Sequence, residues 1–310
     1  MTGPATRPAP AAAPLISLTD ITEIELLILR RMREMTIGEH RSLAHGSGFD
    51  YVGLRSWQSG DRFSSIDWAQ SSLTNFSPLM VREYEQPSTA TVMVVADASA
   101  STRCGINGVP IARGVARAIA TIGMSAVFFQ DMFGMMTFAR DLGQMASVRP
   151  RIGRNHVLHC LDAYQHGTGD IKVREHGDLA QTIGGHVRNP CLMPVVSDFL
   201  FEDAPQVLRE LGLLNARHDV FLVLVDSAFA FEMPDAPEGW VEAYDVETKR
   251  TTVVSRGEFG QLADRVRLWQ DDVGHWARDA GLDVLRFGID PQRNLHALLE
   301  FVVERRLRRV

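Results

Sequence analysis

The chain has 310 residues, of which 45% are hydrophobic and 23% charged, as is typical of a folded protein with a substantial core. The net charge of −6 argues against a broad nucleic-acid-binding surface, because such surfaces are basic. Three widely spaced cysteines, an odd number, favour reduced thiols over a disulfide framework. Because the sequence shows no signal-peptide pattern and no apolar run approaching a membrane span, we expect a cytoplasmic protein.

The N-terminal part is predicted to hold a tail and a small subdomain. Residues 1–16 are rich in Ala, Pro and Thr, and we expect a disordered tail because they cannot bury enough apolar surface. Residues 17–89 are predicted to contain one helix, over about 19–36, followed by a β-rich subdomain. Two stretches there, FDYVGLRSW and SPLMVREYE, have the aromatic and β-branched content of strands.

Residues 90–310 alternate between buried strands and helices, which defines the main domain. Strands are predicted at 91–97, from Phe133, near 145–148, and from Cys191, Asp219 and Asp283. Helices are predicted over about 110–127, 154–165, 179–187, 203–216, 258–279 and 294–310, with a hairpin at 240–255. This alternation predicts an α/β fold with a doubly wound, mostly parallel sheet and helices on both faces.

Polar side chains follow two of the predicted strands and one loop, at places where a sheet can bring them together. The strand at 91–97 ends in Asp97, Ser99 and Ser101, a loop carries Thr168, and the strand from Cys191 ends at Asp198. Ligands bind beyond the carboxyl ends of strands in open α/β sheets. Because these ligands are all oxygen atoms, they favour Mg²⁺, or Mn²⁺ or Ca²⁺, over zinc.

A structural interpretation stands beside the metal site. Asp97 and its two serines could instead form a hydrogen-bonded turn, and Thr168 could be an ordinary loop hydroxyl. Cys104 is a weak candidate nucleophile, since no histidine stands near it in the sequence.

A second set of residues precedes the strand at 91–97. Gly60 and Asp61 are typical of a turn. The next residues of the set, Ile66, Asp67 and Trp68, are predicted to form a short segment that anchors the chain. This set could be structural, with Asp67 capping a short helix and Trp68 filling core.

The residues just described resemble two nested families. Asp97, Ser99, Ser101, Thr168 and Asp198 are similar to the metal-ion-dependent adhesion site of von Willebrand factor type A domains. The Gly-Asp…Ile-Asp-Trp set over 60–68 resembles a narrower group, domain-of-unknown-function family 58, and that resemblance covers about residues 40–310. The chain departs from the usual pattern of that group at Arg62, Ser64, Ala69, Gln70 and Thr102.

The resemblance implies a von Willebrand factor type A-like domain that acts by binding other proteins. The members of domain-of-unknown-function family 58 are bacterial proteins usually encoded beside MoxR-type AAA ATPases. The expected function is therefore a non-enzymatic adaptor or co-chaperone that works with such an ATPase. The bound metal would accept an acidic residue of the client protein, with no nucleic-acid partner and no membrane span.

A phosphohydrolase with Asp97 as nucleophile is the alternative function. That chemistry prefers a second acid two residues after the nucleophile, where this chain has Ser99. It also prefers a lysine near the phosphate, and Lys172 and Lys249, the two lysines of the chain, lie in polar stretches away from strand ends.

Overall fold

The structure is a computed structural model, and it describes residues 14–37, 50–59, 61, 63, 66–85, 89–105, 109–139, 145–173, 177–231, 240–245 and 250–308. The chain forms two compact units, each described by itself. The larger unit contains the first helix as far as Arg30 and everything from Ala90 onward, and the smaller unit is Arg31–Thr89.

The helices and strands follow the predicted order. The helices are α1 Leu18–Ile37, α2 Trp68–Leu73, α3 Ile111–Phe128, α4 Arg154–His166, α5 Leu179–His186, α6 Ala204–Leu214, α7 Arg256–Asp279 and α8 Pro291–Arg308. The strands are β1 Asp50–Ser56, β2 Met80–Glu85, β3 Thr91–Asp97, β4 Met132–Phe138, β5 Met145–Arg151, β6 Ile171–Val173, β7 Leu192–Ser197, β8 Asp219–Val225, β9 Trp240–Asp245, β10 Arg250–Ser255 and β11 Asp283–Phe287.

The larger unit is built on a seven-stranded sheet with the order β11-β8-β7-β3-β4-β5-β6. The first five strands run parallel, whereas β5 and β6 join antiparallel at one edge. The predicted mixed α/β fold with a mostly parallel sheet is therefore confirmed. Strand β6 was not predicted, because three residues at a sheet edge leave no readable alternation.

Helices cover both faces of this sheet. Helices α5, α6 and α7 pack on one face, over a core that includes Met93, Val95, Met193 and Val195 of the central strands. Helix α3 packs against α4 and α8 on the other face. Residues at even positions of β3, such as Val94, are also fully buried, as expected for a strand covered on both faces.

Helix α3 corrects one reading of the sequence. By length and composition alone it is apolar enough to cross a membrane. The expectation that no apolar run approaches the length of a membrane span is therefore wrong. Of the 18 residues of α3, 72% are buried inside the larger unit. Packing between the sheet and its neighbours accounts for this composition, because a helix that is hydrophobic all round is buried.

Helix α6 approaches the end of α7 at Gly212. A Cβ atom on this glycine would lie 2.5 Å from the backbone oxygen of Ala280, too close to be relieved by a side-chain rotation. We expect Gly212→Ala to lower the free energy of unfolding by about 1–3 kcal/mol, the usual cost of overpacking. Chemical denaturation measures this change.

Gly185 provides the matched control. It also lies in a helix, α5, and a Cβ there would meet nothing within 4 Å. Gly185→Ala should leave stability unchanged or raise it by up to about 1 kcal/mol, the helix-propensity difference. Equal losses in the two variants would contradict the close approach at Gly212.

Two pairs of strands are antiparallel, and the pair at 240–255 is the predicted hairpin. Strands β1 and β2 pair in the smaller unit, with a register shift between Tyr51 and Gly53. Strands β9 and β10 pair along their full lengths just before α7.

Candidate functional site

Asp97 ends the central strand β3 and is 1% exposed. Its Oδ1 accepts hydrogen bonds from the backbone N–H of Ser99, at 2.9 Å, and from the Ser99 hydroxyl, at 2.5 Å. Its Oδ2 accepts a 2.6 Å hydrogen bond from the hydroxyl of Ser197. The register of β3 and β7 explains this last contact, because Val95 pairs with Val195 and the following residues on that face are Asp97 and Ser197.

The loop after β3 is a single turn of 3-10 helix, Ala100–Arg103. Ser99 precedes it and is buried, at 4% exposure, whereas Ser101 within it is half-buried. The hydroxyl of Thr102 donates to the Ser99 carbonyl at 2.7 Å and holds the turn closed. The turn therefore holds Ser99 against Asp97, and Ser101 lies two residues further along the same turn.

Asp198 follows β7 and is 3% exposed. Its Oδ1 accepts from the backbone N–H of Leu200 at 3.3 Å. The charges of Asp97 and Asp198 both act on the buried phenol of Tyr164. Burial first, and then these carboxylates, raise the pKa of Tyr164 well above its usual range. The two predicted carboxylates therefore both lie close enough to Tyr164 for their charges to act on its phenol.

Tyr164 also connects α4 to this loop. Its hydroxyl donates to the Asp97 carbonyl at 2.8 Å. The guanidinium of Arg103 lies 5.1 Å from the Tyr164 ring centre and donates to the Tyr164 carbonyl. These contacts fix the position of the loop between β3 and the end of α4.

Thr168, the fifth predicted ligand, lies in the turn after α4. It is exposed, it follows Gly167 at the end of α4, and its backbone N–H donates to the carbonyl of Ala163. The interactions of the described residues include none between the Thr168 side chain and Asp97, Ser99 or Asp198. The local turn explains its position, since a left-handed Gly167 ends the helix there.

A cavity of about 160 Å³ opens beside Ser99 on the face covered by α5 and α6. Three acidic side chains line it: Asp178, Asp203 and Glu210. Asp178 caps α5, where its Oδ1 accepts from the backbone N–H of Gln181 at 2.7 Å. Asp178 was not predicted as a site residue. The Gly-Asp pair before an apolar helix was the available signal, because it indicates an aspartate that caps the helix N-terminus.

Gln270 is a second overlooked residue. It lies on α7 at 3% exposure, and its Nε2 donates to the carbonyls of Asp198 and Val225 and to the Ser227 hydroxyl. The neighbouring Trp269 donates from its indole to the Phe199 carbonyl at 2.7 Å. Helix α7 thereby holds the segment that carries Asp198. A polar residue within the buried series Ala263, Val266, Val273 and Ala277 was the available signal.

The set over residues 60–68 is described in part. Gly60 lies outside the described residues. Ile66 is buried and forms an isolated bridge with Val81. Asp67 caps α2 by accepting from the N–H groups of Ala69 and Gln70, as the structural interpretation predicted. The expectation that Trp68 fills core is wrong, because its side chain is 57% exposed at the first position of α2.

Asp61 forms a two-pronged ion pair with Arg55, with both N–O distances at 2.7 Å. Hydrogen bonds from Arg55 and from the Gln58 backbone lower the pKa of Asp61 from 3.8 to about 2. Because the folded-state pKa is depressed, the stabilisation is present above pH 3.8 and is lost as the pH falls toward 2.

Asp61→Asn should therefore reduce the Tm near neutral pH by an amount that shrinks on acidification. Thermal melts of both proteins from about pH 6 to about pH 3 measure this difference. A difference in Tm that does not vary with pH would contradict the ion pair as its cause.

The side-chain atoms near Asp97 that could bind a metal are all oxygen atoms. No group of three or more His, Cys, Asp or Glu side chains suited to a metal occurs among the residues that the structure describes. A metal at this place would need the serine hydroxyls together with Asp97 and Asp198. Such an all-oxygen set fits the preference of Mg²⁺, and does not suit metals that prefer sulfur or imidazole.

Comparison with known proteins places the chain among uncharacterized bacterial proteins. The profile of a family described as "Protein of unknown function DUF58" matches residues 53–267. The uncharacterized proteins Mb1516 of Mycobacterium bovis and Rv1480 of Mycobacterium tuberculosis are each 26% identical over 298 residues. The alignments cover 91% of this chain and 88% of each relative.

One solved structure is also similar, that of an aerotolerance-related membrane protein from Bacteroides fragilis carrying multiple mutations to serines. It has a TM-score of 0.38 and 13% identity, over 68% of this chain and 97% of that one. The cytoplasmic location predicted from the sequence loses its premise, because α3 is long and apolar enough by length and composition to cross a membrane, although its residues are mostly buried in the larger unit. That prediction is withdrawn.

Proposed function

The chain belongs to the DUF58 family of unknown function, and from this membership and its site we propose a non-enzymatic, divalent-metal-dependent protein-interaction module. The module is of the von Willebrand factor type A kind. A central strand that ends in Asp97, Ser99 and Ser101, beside a neighbour that ends in Asp198, carries this proposal. The parallel strands around β3, with helices on both faces, are consistent with that kind of domain.

The proposed ligands of the ion are Asp97, Ser99, Ser101 and Asp198. Mg²⁺, or Mn²⁺ or Ca²⁺, would supply an open coordination position for a carboxylate of another protein. The hydroxyl of Ser99 and both oxygens of Asp97 already form one hydrogen-bonded unit, which keeps these donors in place. Gln270 and Trp269 orient the Asp198 segment through its backbone.

We propose that the partner is a MoxR-type AAA ATPase together with its client protein. The family resemblance of the set over residues 60–68 supports this part of the proposal. Trp68, exposed at the start of α2, belongs to a conspicuous group of exposed apolar side chains in the smaller unit, with Phe63, Leu73 and Phe76. Exposed apolar residues that lie close in sequence are typical of a surface that contacts another protein.

Co-purification with the MoxR-type ATPase of the same organism tests this function. The purified proteins should associate in Mg²⁺ and dissociate in EDTA, without nucleotide in either buffer. Asp198→Asn should weaken the association at least about tenfold, as expected when a metal ligand is altered. Association of the same strength in EDTA and in the variant would contradict metal-dependent binding.

The residue types around Asp97 favour the interaction module over the phosphohydrolase alternative. That chemistry prefers a second acid two residues after the nucleophile. This place is held by Ser99, whose hydroxyl donates to Asp97.

A further inference from the structure

The cavity beside Ser99 combines acidic and apolar walls. Two of its acids, Asp178 and Asp203, are the N-cap residues of α5 and α6, and the third, Glu210, lies further along α6. Asp203 and Glu210 are seven residues apart, which places them two turns apart on the same side of α6. Among the described residues that line the cavity, every ionisable side chain is an acid.

The apolar part of the cavity includes two aromatic rings. Phe138 ends β4, and Phe201 lies between β7 and α6. Leu179 and Val207 complete the apolar lining from the two helices. Such walls would be unfavourable neighbours for a small hydrated ion, but they can cover the methylene groups and the planar face of a long cationic side chain.

The volume of the cavity limits the size of the ligand that it can bind. At about 160 Å³ it is smaller than the roughly 300–1,000 Å³ of sites that bury a cofactor or a drug-sized molecule. The volume instead suits one side chain inserted from another protein. The carboxylate of Glu210, part of this lining, accepts a hydrogen bond at its Oε1 from the amide of Gln206, at 2.8 Å.

We propose that this cavity binds an arginine side chain of a partner protein. Arginine fits better than lysine, because its planar guanidinium pairs with two carboxylates at once and stacks on aromatic rings. The inference rests on the proposed interaction function and adds a recognition element to it. The partner would present an acidic residue to the metal and an arginine to the adjoining cavity.

NMR titration of the ¹⁵N-labelled full chain with N-acetyl-arginine methylamide tests the proposal. Backbone resonances of Leu179, Val207 and Glu210 should shift on titration. The citrulline analogue, which has the same shape without the charge, should bind at least about fivefold more weakly, and the lysine analogue should fall between them. Equal binding of arginine and citrulline, or no shift with either, would overturn the proposal.

Two variants test whether arginine binds in this cavity. Asp203→Asn combined with Glu210→Gln should weaken arginine binding about tenfold or more, and Glu202→Gln, next to the cavity but outside its lining, should not. Mg²⁺ binding should survive the double variant, so that a failure of the arginine site is distinguishable from a failure of the metal site. Loss of Mg²⁺ binding in the double variant would assign these acids to a metal and overturn the arginine proposal.

Discussion

Asp97→Ala is expected to lower the free energy of unfolding by about 4 kcal/mol in metal-free buffer. The substitution removes the acceptor for the hydroxyls of Ser99 and Ser197 and for the Ser99 backbone N–H, all of them buried. Each buried donor left without a partner costs about 1–3 kcal/mol. Urea denaturation of the wild type and the variant measures the loss.

A graded series separates this effect from general damage to the strand. Asp97→Asn keeps the shape and one acceptor oxygen, so it should cost about 1–2 kcal/mol. Ser197→Ala removes one donor to Asp97 and also the acceptor of the Phe199 backbone N–H, so it should cost about 2 kcal/mol. If Asp97→Ala were as stable as Asp97→Asn, the serines would not depend on this carboxylate.

Gln270→Leu is expected to cost about 3 kcal/mol and to weaken metal binding without altering a ligand. Its amide donates to two carbonyls and a hydroxyl within the core, and leucine would remove this donor from all three acceptors. Because one of these carbonyls belongs to Asp198, the segment that carries the carboxylate should lose its fixed position. Urea denaturation and calorimetric Mg²⁺ titration measure the two effects.

Gln261→Leu is the matched control on the same helix. Gln261 is exposed on α7, so the substitution should change the free energy of unfolding by no more than about 0.5 kcal/mol. Similar losses in the two variants would show that leucine in α7, and not the lost amide, is responsible.

The sheet was readable from the sequence because its strands are covered on both faces. A strand such as β3 then becomes a short β-branched run that ends at a polar loop, a pattern with few other interpretations. Strand β6 lacked any such signal. The exposure of Trp68 could not be read either, because an aromatic residue beside a capping aspartate fits a core or a surface equally well.

The site was predictable where it follows strand ends, and less so where helices complete it. Asp97, Ser99 and Asp198 are placed by neighbouring parallel strands, so their proximity follows from the sheet. Asp178 and Gln270 reach the same region from α5 and α7, whose rotation about their axes depends on core packing. Thr168 was named from its position in a loop and from the resemblance, and the turn after α4 leaves it exposed.

Calorimetric titration of the full chain with Mg²⁺ probes the metal site without any partner. Wild type and Thr168→Ala should bind Mg²⁺ with the same affinity, whereas Ser99→Ala, which removes a proposed ligand, should bind at least about tenfold more weakly. Absence of Mg²⁺ binding by the wild type, or undiminished binding by Ser99→Ala, would contradict a divalent ion held at the end of the central strand.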